Sequence, residues 1–180
     1  MDGSDSTLDI PDALNTLGLS HIQIVRDNAA GVYPAMNLGL GVASGIFIYF
    51  LNAGDRIQSA PNFTGVLRLL SLHFPPWLIA RVCFESADGQ STSPTFDYTK
   101  ERKSFFARGK FPPHQGTIVQ TQLLRRLGGF DTGFRITADY QVTLKLSQIH
   151  APLTASHTLA RFQVGGLSSR HWFQAVQEFH

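Results

Sequence analysis

A chain of 180 residues with 43% hydrophobic side chains is long enough for one domain with a real core. A net charge of +2 with dispersed basic residues argues against a nucleic-acid partner, whose binding face gathers Lys and Arg, and no apolar run approaches the length of a membrane span. Cys83 is the sole cysteine, which excludes an intrachain disulfide and fits a reducing compartment. The first residues, Met-Asp-Gly-Ser-Asp-Ser, are polar and acidic, unlike a secretory signal. The expectation is a cytoplasmic chain, with peripheral contact at the inner face of a membrane left open.

Asp2 to Thr7 is a turn-forming cluster, followed by a short helix through Asp12 to Leu17 that Gly18 closes. Ile22 to Val25 fits a brief strand. Gly31 precedes a helix in which Pro34 suits the first turn, where a missing N–H costs nothing. Met36, Leu40 and Ala43 recur at helical spacing, and Ser44-Gly45 ends the run. Ile46 to Leu51 is a continuous apolar stretch, the pattern of a strand buried on both faces. The chain then turns polar at once with Asn52-Ala53-Gly54-Asp55. A loop holding Pro61 leads to a helix over Thr64–Leu72, with Val66, Leu69 and Leu70 facing inward, and Pro75-Pro76 stops it.

Leu78 to Phe84 reads as a strand, Ala87-Asp88-Gly89 as a turn, and Thr95 to Thr99 as the returning strand of a hairpin. Lys100 to Lys110 is charged. Phe111 to Gly116 is a rigid turn before another apolar segment. Gln120 to Leu127 is a helix with Gly128-Gly129 as its C-cap. Phe130 to Phe134 is a loop, and Ala138 to Ile149 is a helix with Ala138, Val142 and Leu146 on one face. Thr158 to Val164 is a strand, Gly165-Gly166 breaks it, and Ser168 or Ser169 caps a last helix bearing Trp172, Val176 and Phe179. The sequence has no internal repeat. The pattern is that of an α/β domain.

In open α/β sheets ligands gather outside the carboxyl ends of the strands, where Asn52 and Asp55 stand. A carboxylate and an amide oxygen on one tight loop can offer hard ligands to a divalent cation. The alternative is a turn in which both side chains cap backbone N–H groups. Asp139, at a helix start, is either a favourable partner of the helix dipole or a general base for a hydroxyl proton. His114, in Pro-Pro-His-Gln, is either a site residue on a stiff loop or an ordinary hydrogen-bonding side chain. His157 is a weaker candidate for a further metal ligand. Cys83, among apolar neighbours, reads as an inert small hydrophobe.

Several motifs resemble those of family 2 glycosyltransferases. Asp2-Gly3-Ser4-Asp5-Ser6-Thr7 is similar to an Asp-Gly-x-Ser-x-Asp-x-Thr turn, and Gly31-Val32-Tyr33-Pro34-Ala35-Met36-Asn37 to Gly-Ile-Tyr-Asp-Ala-Met-Asn. Phe50-Leu51-Asn52-Ala53-Gly54-Asp55 is similar to Phe-Leu-Asn-x-Gly-Asp, a local form of an Asp-x-Asp metal motif. Pro113-His114-Gln115, Gly128-Gly129-Phe130-Asp131 with Ala138-Asp139-Tyr140, and Ala160 through Ser168 match as well, in order along nearly the whole chain. The most similar subgroup serves bacterial exopolysaccharide assembly of the colanic-acid type.

The resemblance implies a GT-A fold: a three-layer α/β sandwich with a mixed sheet. It implies a nucleotide-diphosphate sugar donor, a glycan or lipid-linked acceptor, and Mn²⁺ or Mg²⁺. By the same resemblance Asp2, Asn37, Asn52, Asp55 and His114 belong to the nucleotide-sugar pocket, Asp55 binds the metal, and Asp139 is the catalytic base of an inverting transfer. The sequence departs from the pattern where Pro34 replaces an Asp and where Asp27-Asn28-Ala29-Ala30-Gly31 replaces Glu-Pro-Asp-Lys-Gly. The family also has two strands before the first turn. Their absence here leads to the expectation of an N-terminally truncated domain. The alternative is an inactive GT-A-like module that acts by binding or association.

Overall fold

The computed structural model describes residues 23–26, 31–86, 91–92 and 112–163. The expected turn at Asp2–Thr7, the helices at 12–17 and after Ser168, the return strand Thr95–Thr99 and the charged stretch 100–110 lie outside them.

The elements in order are α1 (Val32–Val42), β1 (Phe47–Tyr49), β2 (Arg56–Ile57), α2 (Ala60–His73), β3 (Trp77–Glu85), β4 (Ser91–Thr92), a 3₁₀ turn (His114–Gly116), β5 (Thr117–Gln120), α3 (Thr121–Arg126), α4 (Ala138–Ile149) and β6 (Leu153–Gln163). The strands form one mixed sheet in the order β1-β5-β3-β6-β2, with β4 beside β3. β3 runs parallel to β6, and every other pairing is antiparallel. The β3–β6 register is irregular around Arg81, where it shifts by a bulge.

Side-chain alternation along β3 builds the three layers. Trp77 and Ile79 face α1, α3 and α4, meeting Met36, Leu40, Leu124, Val142 and Leu146. Leu78 and Ala80 face the other way, onto Val66 and Leu70 of α2. Period-two alternation in a strand with helices on both sides makes nearly every residue apolar, as Trp-Leu-Ile-Ala shows. Leu78, Leu146 and Leu159 have no exposed surface, and each contributes about 1.5–3 kcal/mol of hydrophobic burial. The three-layer α/β sandwich with a mixed sheet expected from the sequence is the architecture observed.

Local rules account for the helix ends. Pro34 lies in the first turn of α1, and Pro61 in that of α2, where Ser59 Oγ accepts from the N–H of Asn62. α2 thus begins earlier than its apolar spacing alone suggests. Phe74 closes it in the left-handed region at φ 46°. After α3, Gly128 and Gly129 take φ of 87° and 69°, and the N–H of Gly129 returns to the Leu124 carbonyl, closing the helix in the manner of a Schellman cap.

Three expectations are corrected. The Ile46–Leu51 run yields only a three-residue strand, with Ile48 buried but Ile46 and Leu51 exposed. Its place at the end of the sheet order among the described strands accounts for this, because an apolar run does not reveal whether its strand is central or terminal. Residues 23–25 carry no strand, and Ile24 and Val25 are exposed; no ladder partner holds them among the described residues. The strand expected at Thr158 starts at Leu153, because Leu153 and Thr154 already pair with Leu78 and Ile79.

Candidate functional site

β1 and β5 are antiparallel, so the loop after β1 and the 3₁₀ turn before β5 meet at one end of the sheet. β3, antiparallel to β5, passes beside that turn at Ile79–Ala80 and continues beyond it to Glu85. The carboxyl end of β1 delivers Asn52 and Asp55, and the turn delivers His114 and Gln115. The first turn of α4 brings Asp139 to the same place, and the first turn of α1 brings Tyr33.

The contacts form a connected chain. Asn52 Nδ2 lies 3.0 Å from His114 Nε2. His114 Nδ1 lies 3.2 Å from Asp139 Oδ2, and both side chains are mostly buried at 18% and 14% exposure. Asp139 Oδ1 accepts the Tyr140 N–H at 2.9 Å and faces the Tyr33 hydroxyl at 3.0 Å. That hydroxyl also reaches the Ile136 carbonyl. Gln115 Nε2 donates to Asp55 Oδ2 at 2.9 Å, and the Tyr49 hydroxyl donates to the Gln115 carbonyl at 2.9 Å. Burial pushes the Tyr33 phenol well above its usual range, reinforced by the Asp139 charge; burial and the Asp55 charge do the same to Tyr49. Both stay neutral O–H groups at physiological pH.

The 3₁₀ turn is seated by close backbone approach. Gly116 is buried, and a Cβ there would fall 2.5 Å from the Ala80 carbonyl oxygen and 2.9 Å from Val82 Cγ2 on β3. Only glycine lets the turn lie this near the sheet, so Gly116 sets the depth of His114 and Gln115.

The structure therefore joins Asn52, His114 and Asp139 directly, and places Asp55 on the adjacent residue of the same turn. The turn at 52–55 is closed by backbone, the Asp55 N–H meeting the Asn52 carbonyl, while both side chains reach across to the His114–Gln115 turn. Among the described residues neither side chain caps a backbone N–H as the alternative reading has it. Asn37 is engaged elsewhere: its amide donates to the Phe130 carbonyl at 2.7 Å and accepts the Phe130 N–H at 2.8 Å. This clasp fixes the loop between α3 and α4, where Phe130 stacks on Tyr33 at 5.7 Å. His157 packs against Gly65 of α2, whose missing Cβ makes room for its ring. Cys83 is buried in β3. Asp2 lies outside the described residues. Tyr33 and Gln115 are the site members that residue-type reasoning missed. Both lie inside motifs that the resemblance covers, and that was their one signal.

Among the described residues no three His, Cys, Asp or Glu side chains cluster as a metal cage. Asp55 supplies a single carboxylate with a hydrogen bond on one oxygen, a donor set that suits Mg²⁺ or Mn²⁺ held by one or two carboxylates together with substrate phosphates. The residues present fit such an ion.

Fold and site together define a GT-A-like α/β domain that carries Asp55 and Asp139 beside the end of β1. The crystal structure of S. aureus TarS residues 1–349 has the same fold, with a TM-score of 0.65 over 89% of this chain and 48% of that one, at 16% identity. In sequence, an uncharacterised glycosyltransferase of Mycobacterium tuberculosis is 28% identical over 149 residues, 81% of this chain and 55% of its own length. A PGL/p-HBAD biosynthesis glycosyltransferase of Mycobacterium bovis is 26% identical over 142 residues, 79% of this chain and 54% of its own. The chain spans about half the length of these relatives. No protein-family model matches it. Among the described residues no helix is long and apolar enough to cross a membrane.

Proposed function

We propose that this chain carries the catalytic centre of a glycosyltransferase that moves a sugar from a nucleotide-diphosphate donor to a hydroxyl of a glycan or lipid-linked acceptor in polysaccharide biosynthesis. The observation that carries the proposal is the hydrogen-bonded link from the Asn52–Asp55 loop through His114 to Asp139. One end of it offers cation and diphosphate ligands. The other is a fixed carboxylate.

Asp139 is the general base. It takes the acceptor hydroxyl proton as that oxygen forms its bond to the anomeric carbon of the donor. The bond from that carbon to the diphosphate breaks, its electron pair leaves on the nucleoside diphosphate, and the anomeric centre inverts. Tyr33 and the Tyr140 N–H hold the carboxylate in place. Asp55, with Asn52 beside it, would hold the divalent cation, which when bound neutralises charge on the leaving diphosphate. Asp2 and Asn37 complete the nucleotide-sugar pocket in this proposal, Asn37 through the loop it clasps.

The test is calorimetric binding of UDP-glucose, UDP-N-acetylglucosamine, GDP-mannose and dTDP-glucose, with and without Mn²⁺ or Mg²⁺, followed by transfer assays. Asp55→Ala should abolish cation-dependent donor binding. Asp139→Asn should spare binding and remove transfer. Cation-independent binding unaffected by the first change, or transfer that survives the second, overturns these roles. Binding without transfer by the unaltered chain replaces the enzyme with a binding module.

A further inference from the structure

Both ring nitrogens of His114 are engaged, and the partners fix the direction of each bond. On the Nε2 side stands Asn52 Nδ2, which can only donate, so Nε2 must present a bare lone pair. A neutral imidazole then carries its proton on Nδ1, which points at Asp139 Oδ2, an acceptor. The bonds all run one way, from amide to imidazole to carboxylate. The adjacent Gln115 does the same for Asp55.

We propose, building on the glycosyl-transfer reading above, that His114 is a positioning residue for Asp139. Asn52 and Asp139 together hold its Nδ1–H tautomer, and that N–H orients the carboxylate that receives the acceptor proton. His114 is thereby taken out of direct donor contact. Asn52 has two tasks on one side chain: it flanks the donor loop and it sets the hydrogen-bond sense of the base. A movement of the 52–55 loop is transmitted to Asp139 through one imidazole ring. Gly116 holds that ring at the required depth against β3.

The first test needs no turnover. Protein labelled with ¹⁵N in its histidines reports the tautomer of each ring at a fixed pH near 8 by its nitrogen shifts and two-bond couplings. His114 should be the Nδ1–H form, and it should move to the Nε2–H form only when Asn52→Ala is combined with Asp139→Ala, which removes the acceptor on the other side of the ring. The second test separates positioning from binding. His114→Ala should lower kcat on the order of 10²-fold, with KM for the most active of the four nucleotide sugars changed less than about twofold. His114→Asn, whose amide nitrogen falls near the Nδ1 position, should recover most of that loss. His114→Gln, which imitates Nε2, should not. An Nε2–H ring in the unaltered protein, or a loss confined to KM, overturns the proposal. An Nδ1–H ring in the unaltered protein that is lost in the Asn52→Ala/Asp139→Ala double variant supports the relay even in a chain without transfer, an outcome that overturns only the glycosyl-transfer reading.

Discussion

Replacing Gly116 with Ala tests whether the turn carrying His114 and Gln115 is positioned by backbone approach to β3. The added Cβ would stand 2.5 Å from the Ala80 carbonyl oxygen, where ordinary contact begins at 3.4 Å, so about 0.9 Å must be recovered by moving one backbone against another. No flexible side-chain tip can absorb this, because the nearest atom is main chain. Overpacking of this kind costs about 1–3 kcal/mol. For a chain of this size each kcal/mol lowers Tm by about 2–4 °C. Thermal unfolding followed by far-UV circular dichroism reads that loss. The same substitution should disturb His114, because the ring sits on the turn that must shift. The His114 nitrogen shifts should therefore change in the folded protein well below Tm. A Tm within about 1 °C of the original, or a destabilised protein whose His114 ring is unaltered, would refute the argument that Gly116 sets the depth of the site.

Asn37→Ala should cost about 2–4 kcal/mol in urea unfolding, because it leaves both the N–H and the C=O of the buried Phe130 without partners; a loss below about 0.5 kcal/mol would show that water replaces the clasp. Arg125 donates to the carbonyls of Leu40 and Ala43 at the end of α1, at 2.7 and 2.6 Å, so Arg125→Met should destabilise the chain by about 1.5–3 kcal/mol, with Arg125→Lys intermediate. Tyr33 and Tyr49 are raised above the usual tyrosine value of about 10. The unfolded chain therefore loses these protons first, and their contribution to stability is fully present below about pH 10 and falls as pH rises beyond it. Phenolate absorbance from these two residues, identified by Tyr33→Phe and Tyr49→Phe, should appear together with alkaline unfolding; native-state ionisation at the ordinary value would contradict their burial.

What the sequence disclosed follows from which forces are local. α4 was legible to its ends, because Ala138, Val142 and Leu146 keep one helical face and that face is the one buried. β3 was legible to a residue or so at each end, since a strand covered on both sides is apolar throughout. β5 was read only as an apolar segment before a helix, because four residues carry too little period to reveal a strand that lies between β1 and β3. Ile46–Leu51 misled for the complementary reason: its composition is that of a central strand, while its position is decided by pairings elsewhere in the chain. At the site, Asn52, Asp55, His114 and Asp139 were recognisable as individuals. That the amide should meet the imidazole, and the imidazole the carboxylate, depends on sheet topology and on a glycine seat beneath the turn, neither of which has a local signature.

The linkage at the site also dictates when it can come into being. Tyr33 and Asp139 stand 106 positions apart in sequence, Asn52 and His114 stand 62 apart, and His114 and Asp139 stand 25 apart. Each contact closes a long loop, and such closures are slow and entropically demanding. The Asn52–His114 bond must wait for β1 to find β5, and the bond to Asp139 must wait for α4 to dock on Trp77 and Ile79. Helices and local turns can form early without any of it. Asp139 thus acquires its orientation at the end of the folding reaction, and a partly folded chain holds the right residues without their linkage. Refolding followed through the His114 ring should lag the return of helical signal, which makes that ring a reporter of the last event in folding.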